Sequence, residues 1–198
     1  MNGRIIIFLT LFSVMFGSCQ KDDSKVADDL FAKGEYEQAI EKYDEFLKMN
    51  PRHVKSIYNR GRAYEELGEY EKAIEDYEQV LKLNDKHVQA LLSLGQDYHR
   101  KKNYEQALFY YDQAVEYDMN SPNAYYLRGH SRHLLGQVED AMNDYNKAIN
   151  LKNDYGVVYL NRGALYLHLK NKRAACKDFQ TAMNLGVSEA ESALNKNC

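Results

Sequence analysis

Between residues 26 and 187 apolar side chains return at three- and four-residue intervals, the spacing that gathers them on one face of a helix. In the stretch 54–87, Ile57 and Tyr64 mark one such face, a polar break falls at Gly68 and Glu69, and Ile74, Tyr77 and Leu81 mark a second face. The pattern predicts a hairpin, with a first helix over about 54–67, a tight turn, and a second helix over about 70–83. The same pattern then returns along the chain at a spacing of 34 residues. Ala39, Ala73, Ala107, Ala141 and Ala175 are its clearest markers, each followed four residues later by an aromatic: Tyr43, Tyr77, Tyr111, Tyr145 and Phe179. Gly61, Gly95, Gly129 and Gly163 repeat at the same interval, with Ala27 in their place in the first unit. Tyr36, Tyr70 and Tyr104 form a further column, which Val138 and Lys172 interrupt.

Each column has a steric reason. Two antiparallel helices approach closely only where side chains are small, so the glycine of the first helix and the alanine of the second mark the contact. The aromatic four residues beyond the alanine lies on the same helix face and fills the space beside it.

These columns resemble the tetratricopeptide repeat over about Gln20 to Val187, departing from it in having no tryptophan and in keeping the closing proline only once, as Pro51. The resemblance implies an all-α fold, a right-handed superhelical solenoid of five helix-turn-helix hairpins whose first helices line a concave groove. The units are expected at 26–53, 54–87, 88–121, 122–155 and 156–187. A solenoid leaves its last apolar face open unless something covers it. The segment 188–198, with Ala190, Ala193 and Leu194 at helical spacing, is expected to be a capping helix.

The first residues have another character. One positive residue, Arg4, precedes an apolar run from Ile5 to Phe16, and Gly17 and Ser18 precede Cys19. This is the anatomy of a secretory signal, and the run is too short to span a bilayer. It also resembles the signal of bacterial lipoproteins, although Phe16 stands where an aliphatic residue is usual. The resemblance implies removal of 1–18, lipidation of Cys19 and a linker over 19–25. The sequence Cys19-Gln20-Lys21-Asp22-Asp23 resembles the tag of outer-membrane lipoproteins displayed on the cell surface, and it also suits a solvated linker offering Asp23 or Ser24 as a helix cap. The expected location is the cell envelope, as an outer-membrane lipoprotein facing either the periplasm or the outside.

Composition narrows the function classes. With 26 basic and 29 acidic residues the net charge is -3, and no stretch concentrates lysine and arginine, so nucleic acid is not an expected partner. Two prolines and 11 glycines suit helices joined by short loops. No serine-histidine-aspartate arrangement, phosphate loop or zinc motif emerges, so no catalytic residue, metal or cofactor is expected. His130 and His133 share a helix face, but no carboxylate or cysteine completes a ligand set. Cys176 lies 10 residues before the turn at Gly186 and Cys198 lies 12 after it. At similar heights in an antiparallel hairpin they can form a disulfide in an oxidising compartment. The competing reading is a buried core thiol and a frayed terminal one.

First-helix residues not needed by the core should face the groove. By repeat position these are Tyr58, Asn59 and Arg62, then Leu92, Gln96 and His99, then Tyr126, His130 and His133, and last Leu160, Asn161 and His168. A stripe of Tyr58, Leu92, Tyr126 and Leu160 flanked by amide, imidazole and guanidinium groups suits an extended peptide with apolar anchors. Family members that clamp a chaperone C-terminus use two lysines, two asparagines and an arginine. Those places hold Ser24, Asp28, Asn59, Gln89 and Ser93, and only Asn59 fits. The expected function is therefore a membrane-anchored, non-enzymatic scaffold for a protein or peptide. The alternative is a surface protein capturing a small ligand or glycan in the same groove.

Overall fold

The structure, a computed structural model, describes residues 23–198. Its helices are α1 (Asp23–Ala32), α2 (Tyr36–Met49), α3 (Val54–Glu66), α4 (Tyr70–Leu83), α5 (Val88–Arg100), α6 (Tyr104–Tyr117), α7 (Pro122–Leu134), α8 (Val138–Leu151), α9 (Gly156–His168), α10 (Lys172–Asn184) and α11 (Ser188–Asn197). No strand occurs among the described residues. From α3 to α9 the odd-numbered helices begin 34 residues apart, and each packs on the even-numbered helix that follows it and on the one before. The all-α solenoid expected from the columns is the fold observed. One boundary differs: α1 already includes Asp23, Ser24 and Lys25, which were expected in the linker or as a cap, and Ser24 is buried.

The turn inside each hairpin is a repeated backbone device. Gly34, Gly68 and Gly136 take positive φ just past the first helix, and Lys102 and Lys170 hold the same place with φ of 59° and 60°. In each, the amide of the next residue donates to a carbonyl five residues back: Glu35 to Leu30, Glu69 to Tyr64, Asn103 to Tyr98, Gln137 to Arg132, Asn171 to Tyr166. This is the left-handed closure of a helix that favours glycine because a side chain crowds the backbone there. Helix starts are held by side chains accepting free amides. Ser121 Oγ accepts from Ala124 N–H at 3.2 Å, and Asn103 Oδ1 and Asn171 Oδ1 accept from Gln106 and Ala174, each at 3.1 Å. Pro122 fills the first turn of α7, where its missing N–H costs nothing.

The core follows the columns. All five marker alanines and the tyrosines at 43, 77, 111 and 145 are fully buried, and Phe179 nearly so. A Cβ added to Gly61 would lie 2.9 Å from the Tyr77 ring, and one added to Gly129 would lie 2.9 Å from Asp144 Cβ. Those glycines are there because the partner helix leaves no room. At the far end, α11 packs on α10, burying Ala190, and Cys176 Sγ is bonded to Cys198 Sγ across a 22-residue separation. Closing a loop of that length contributes about 3 kcal/mol by the chain-entropy estimate.

Candidate functional site

The first helices of the hairpins, α1, α3, α5, α7 and α9, carry the residues expected to line a groove, and contacts join α1 to α3, α5 to α7 and α7 to α9. The expected groove residues lie along it in three zones of different chemistry. In the first zone Asn59 is not free: its amide donates to Asp28 Oδ1 at 2.9 Å, while Lys55 pairs with Asp28 Oδ2 at 2.6 Å. Tyr43 of α2 reaches the same carboxylate, its hydroxyl donating at 2.7 Å. Burial alone would push the Asp28 carboxyl up, but these three partners together hold it below the usual range. Arg62 stacks its guanidinium over the Phe31 ring at 4.7 Å. Glu65 accepts from the Tyr77 hydroxyl at 2.8 Å and from Arg100 Nη2 at 3.2 Å.

The second zone, over α5 and α7, has no such carboxylate partners. The His99 and His130 rings lie 5.0 Å apart, and Tyr126 stacks on His130 at 6.1 Å. His133 meets the Tyr145 ring edge-on at 6.4 Å. Burial lowers the basicity of all three imidazoles. For His130 it combines with the neighbouring His99 and His133 to bring the pKa down to about 4, so the cluster is neutral at pH 7. His99 Nε2 and the hydroxyls of Tyr111 and Tyr145 find no hydrogen-bond partner among the described residues.

In the third zone, on α9, Asn161 donates to the Val157 carbonyl at 2.9 Å and comes within 3.5 Å of the Tyr126 hydroxyl. Leu160 is half-buried, whereas Gln96 and His168 are exposed. His168 sits one residue past the column of His99 and His133, where Leu167 stands. Tyr58, Leu92, Tyr126 and Leu160 are each half-buried. Of the twelve expected groove residues only Arg62 carries a permanent charge.

A second polar system went unread in the sequence. Arg60 pairs with Asp76 and Asp44, Arg128 with Asp144 and Asp112, and Arg162 with Asp178 and Asn146. Each arginine holds a nearly buried aspartate of its own unit by two parallel bonds and reaches back to the preceding unit. The signal was present as arginine and aspartate columns at the repeat spacing, broken in the third unit by Leu94 and Tyr110. Asp97, also buried, sits under Arg100, and burial raises its pKa to about 6 against the arginine's opposing pull.

No group of three or more side chains suited to hold a metal occurs among the described residues, and no described helix is long and apolar enough to cross a membrane. Cys19 and the segment before it lie outside the described residues.

Comparison with known proteins places the repeats. A family profile described as tetratricopeptide repeat matches residues 26–87 and 58–122, one described as TPR repeat matches 129–170, and another tetratricopeptide repeat profile matches 157–185. No curated protein matches the chain. Among solved structures, MamA of Desulfovibrio magneticus is 24% identical with a TM-score of 0.76, covering 85% of this chain and 97% of that one. YrrB, titled a TPR protein with an unusual peptide-binding site, is 21% identical with a TM-score of 0.73, covering 88% and 89%. A thermophilic TPR protein of Thermus thermophilus is 22% identical with a TM-score of 0.67, covering 87% and 97%. At these identities the likeness speaks for the fold alone.

Proposed function

The chain belongs to the tetratricopeptide repeat family, and from that footing we propose that it is a membrane-anchored scaffold of the bacterial cell envelope, holding a segment of a partner protein in its concave groove. Proteins of this family generally bind protein or peptide partners and are not enzymes. The observation that carries the groove reading is the column Tyr58, Leu92, Tyr126 and Leu160, four half-buried apolar side chains in register on successive first helices. Tyr58, Leu92 and Tyr126 pack their inner sides on the core and, unlike the alanine and tyrosine columns, are not fully buried. Their free edges give a partner apolar anchors, while Asn161 and the imidazoles beside them supply polar contacts.

The test is capture of partners from envelope extract by the mature domain. A stoichiometric protein partner that is lost with the double substitution Tyr58→Ala and Tyr126→Ala supports the scaffold. No protein partner, together with a thermal shift on adding oligosaccharides, would turn the reading toward ligand capture.

The anchor rests on the sequence around Cys19. Metabolic acyl labelling of the wild type and Cys19→Ser tests it, and equal labelling of the two defeats it. Several acyl chains on one residue would give stable membrane attachment, since each buried methylene contributes about 0.8 kcal/mol. The groove would then be held close to the membrane surface by the few residues between Cys19 and α1.

A further inference from the structure

Four tyrosines occupy one place in four successive hairpins, all fully buried, yet their hydroxyls meet two different fates. In the first two units each hydroxyl donates to a carboxylate on the first helix of its own hairpin, Tyr43 to Asp28 and Tyr77 to Glu65. In the third and fourth units the columns that carry Asp28 and Glu65 hold Gln96 with His99 and His130 with His133. Tyr111 and Tyr145 accordingly have no acceptor among the described residues, and neither does His99 Nε2 beside them have a partner. Packing does not explain these hydroxyls. In the fifth unit Phe179 fills the same place without one, so the fold accepts the plain ring.

We infer that the groove over α5 and α7 is a subsite for an uncharged stretch of the partner that presents carbonyl oxygens, backbone or asparagine and glutamine amide, to the hydroxyls of Tyr111 and Tyr145. The inference rests on the groove reading above and specifies its central contact. A phenol kept protonated by burial is a hydrogen-bond donor, and what it lacks is an acceptor. In the first two units the acceptor is an internal carboxylate whose charge Lys55 or Arg100 offsets. The groove groups of these two units are His99, His130, His133 and Tyr126, all neutral at pH 7, while the charges that act on the phenols are Asp97 and Arg100 at Tyr111 and Asp144 at Tyr145. A ligand carboxylate would find no free cation to balance it there, since Arg100, the cation that acts on Tyr111, is already paired with Asp97 and Glu65, and a carbonyl needs none. The rings of Tyr126 and His133, both half-buried, lie 6.5 and 6.4 Å from the fully buried Tyr145 ring, so the ligand reaches that hydroxyl only as these side chains turn aside.

The probe is a library of randomised ten-residue peptides displayed on phage and selected against the full chain in detergent. Selected peptides should be uncharged at their central positions and rich in asparagine or glutamine. Their affinity should fall about tenfold in the double variant Tyr111→Phe and Tyr145→Phe, whose thermal stability should equal or exceed wild type. The control pair Tyr43→Phe and Tyr77→Phe, which removes satisfied hydroxyls, should lose stability and keep affinity. Unchanged affinity in the Tyr111 and Tyr145 variant, or selection of acidic central residues, overturns the subsite. If affinity survives that variant but is lost with Leu92→Lys and Leu160→Lys, the groove reading stands and only this inference falls. If neither variant weakens binding, or the library yields no binder, both fall.

Discussion

At the scale of single residues, two positions carry side chains at odds with their surroundings. Lys102 and Lys170 sit with φ near 60° where the sibling turns have glycine. A non-glycine residue there carries roughly 1 to 2 kcal/mol of strain, while glycine costs somewhat under 1 kcal/mol in unfolded-chain entropy. The strain is larger, so Lys102→Gly and Lys170→Gly should each raise stability by about 0.5 to 1 kcal/mol, read from urea denaturation. A loss of stability would mean that the lysine side chains make contacts that matter more than the turn. His130 behaves differently because its strain is electrostatic. Its folded pKa of about 4 lies below the 6.5 of a free imidazole, so the neutral ring contributes stability that is fully present above pH 6.5 and lost as the pH falls toward 4. Allowing for its partial exposure, the loss is about 2 kcal/mol. Asp97, with its pKa raised to about 6, acts in the opposite sense: its protonated form suits the fold, and stability drains as the pH rises through 6. The two are separated by comparing wild type with His130→Gln at pH 7 and pH 4.5. The variant should lose less stability on acidification, and parallel losses in both proteins would refute the buried neutral imidazole.

At the scale of the element, the two helices of a hairpin are joined by the same alanine-glycine-aromatic contact in units two to five, and a polar clasp ties a hairpin to the one before it in three of the units. In the last unit Arg162 donates to both oxygens of Asp178, at 2.7 and 2.9 Å, and to Asn146 Oδ1 at 2.7 Å. Removing one partner of a buried pair leaves the other charged and unsatisfied, at a cost of about 3 to 5 kcal/mol. The third unit shows an apolar substitute, with Leu94 and Tyr110 at those places and Tyr98 stacked on Tyr110 at 5.5 Å. Arg162→Leu alone should therefore destabilise by about 3 kcal/mol, and adding Asp178→Tyr should restore most of the loss. Additive effects in a double-mutant cycle would show that the clasp does not act as a pair. The glycine and alanine columns were legible in sequence because small residues recurring at a fixed interval along helices mark places where a second helix comes close. The clasp was written at the same interval and went unread, because arginine and aspartate on a helix ordinarily mean a solvated face. Only the 16-residue offset between partners, set by the hairpin's return, brings them together.

At the scale of the whole molecule, the repeats fix a groove and leave its contents to side chains that differ from unit to unit, which is why the fold could be read from the columns and the partner could not. The contrast between satisfied and unsatisfied tyrosines was equally hidden, since the column looks uniform until each hydroxyl's neighbour is known. What the assembled groove adds is a gradient of charge. Lys55, Asp28, Glu65 and Arg100 cluster over the first two units and the end of α5, already engaged with one another. Beyond them the groove residues Leu92, Gln96, Tyr126, Leu160 and Asn161 are uncharged, and His99, His130 and His133 are neutral at pH 7. A partner seated over the last three units would be held by apolar burial and neutral hydrogen bonds, neither of which salt screens, whereas contacts to exposed charges weaken once the screening length falls below about 10 Å. The dissociation constant of a groove-bound peptide, measured by calorimetry, should thus change by less than about threefold between roughly 50 and 500 mM sodium chloride. A weakening of about tenfold or more would place the binding energy on the charged cluster and move the site to the N-terminal end of the groove.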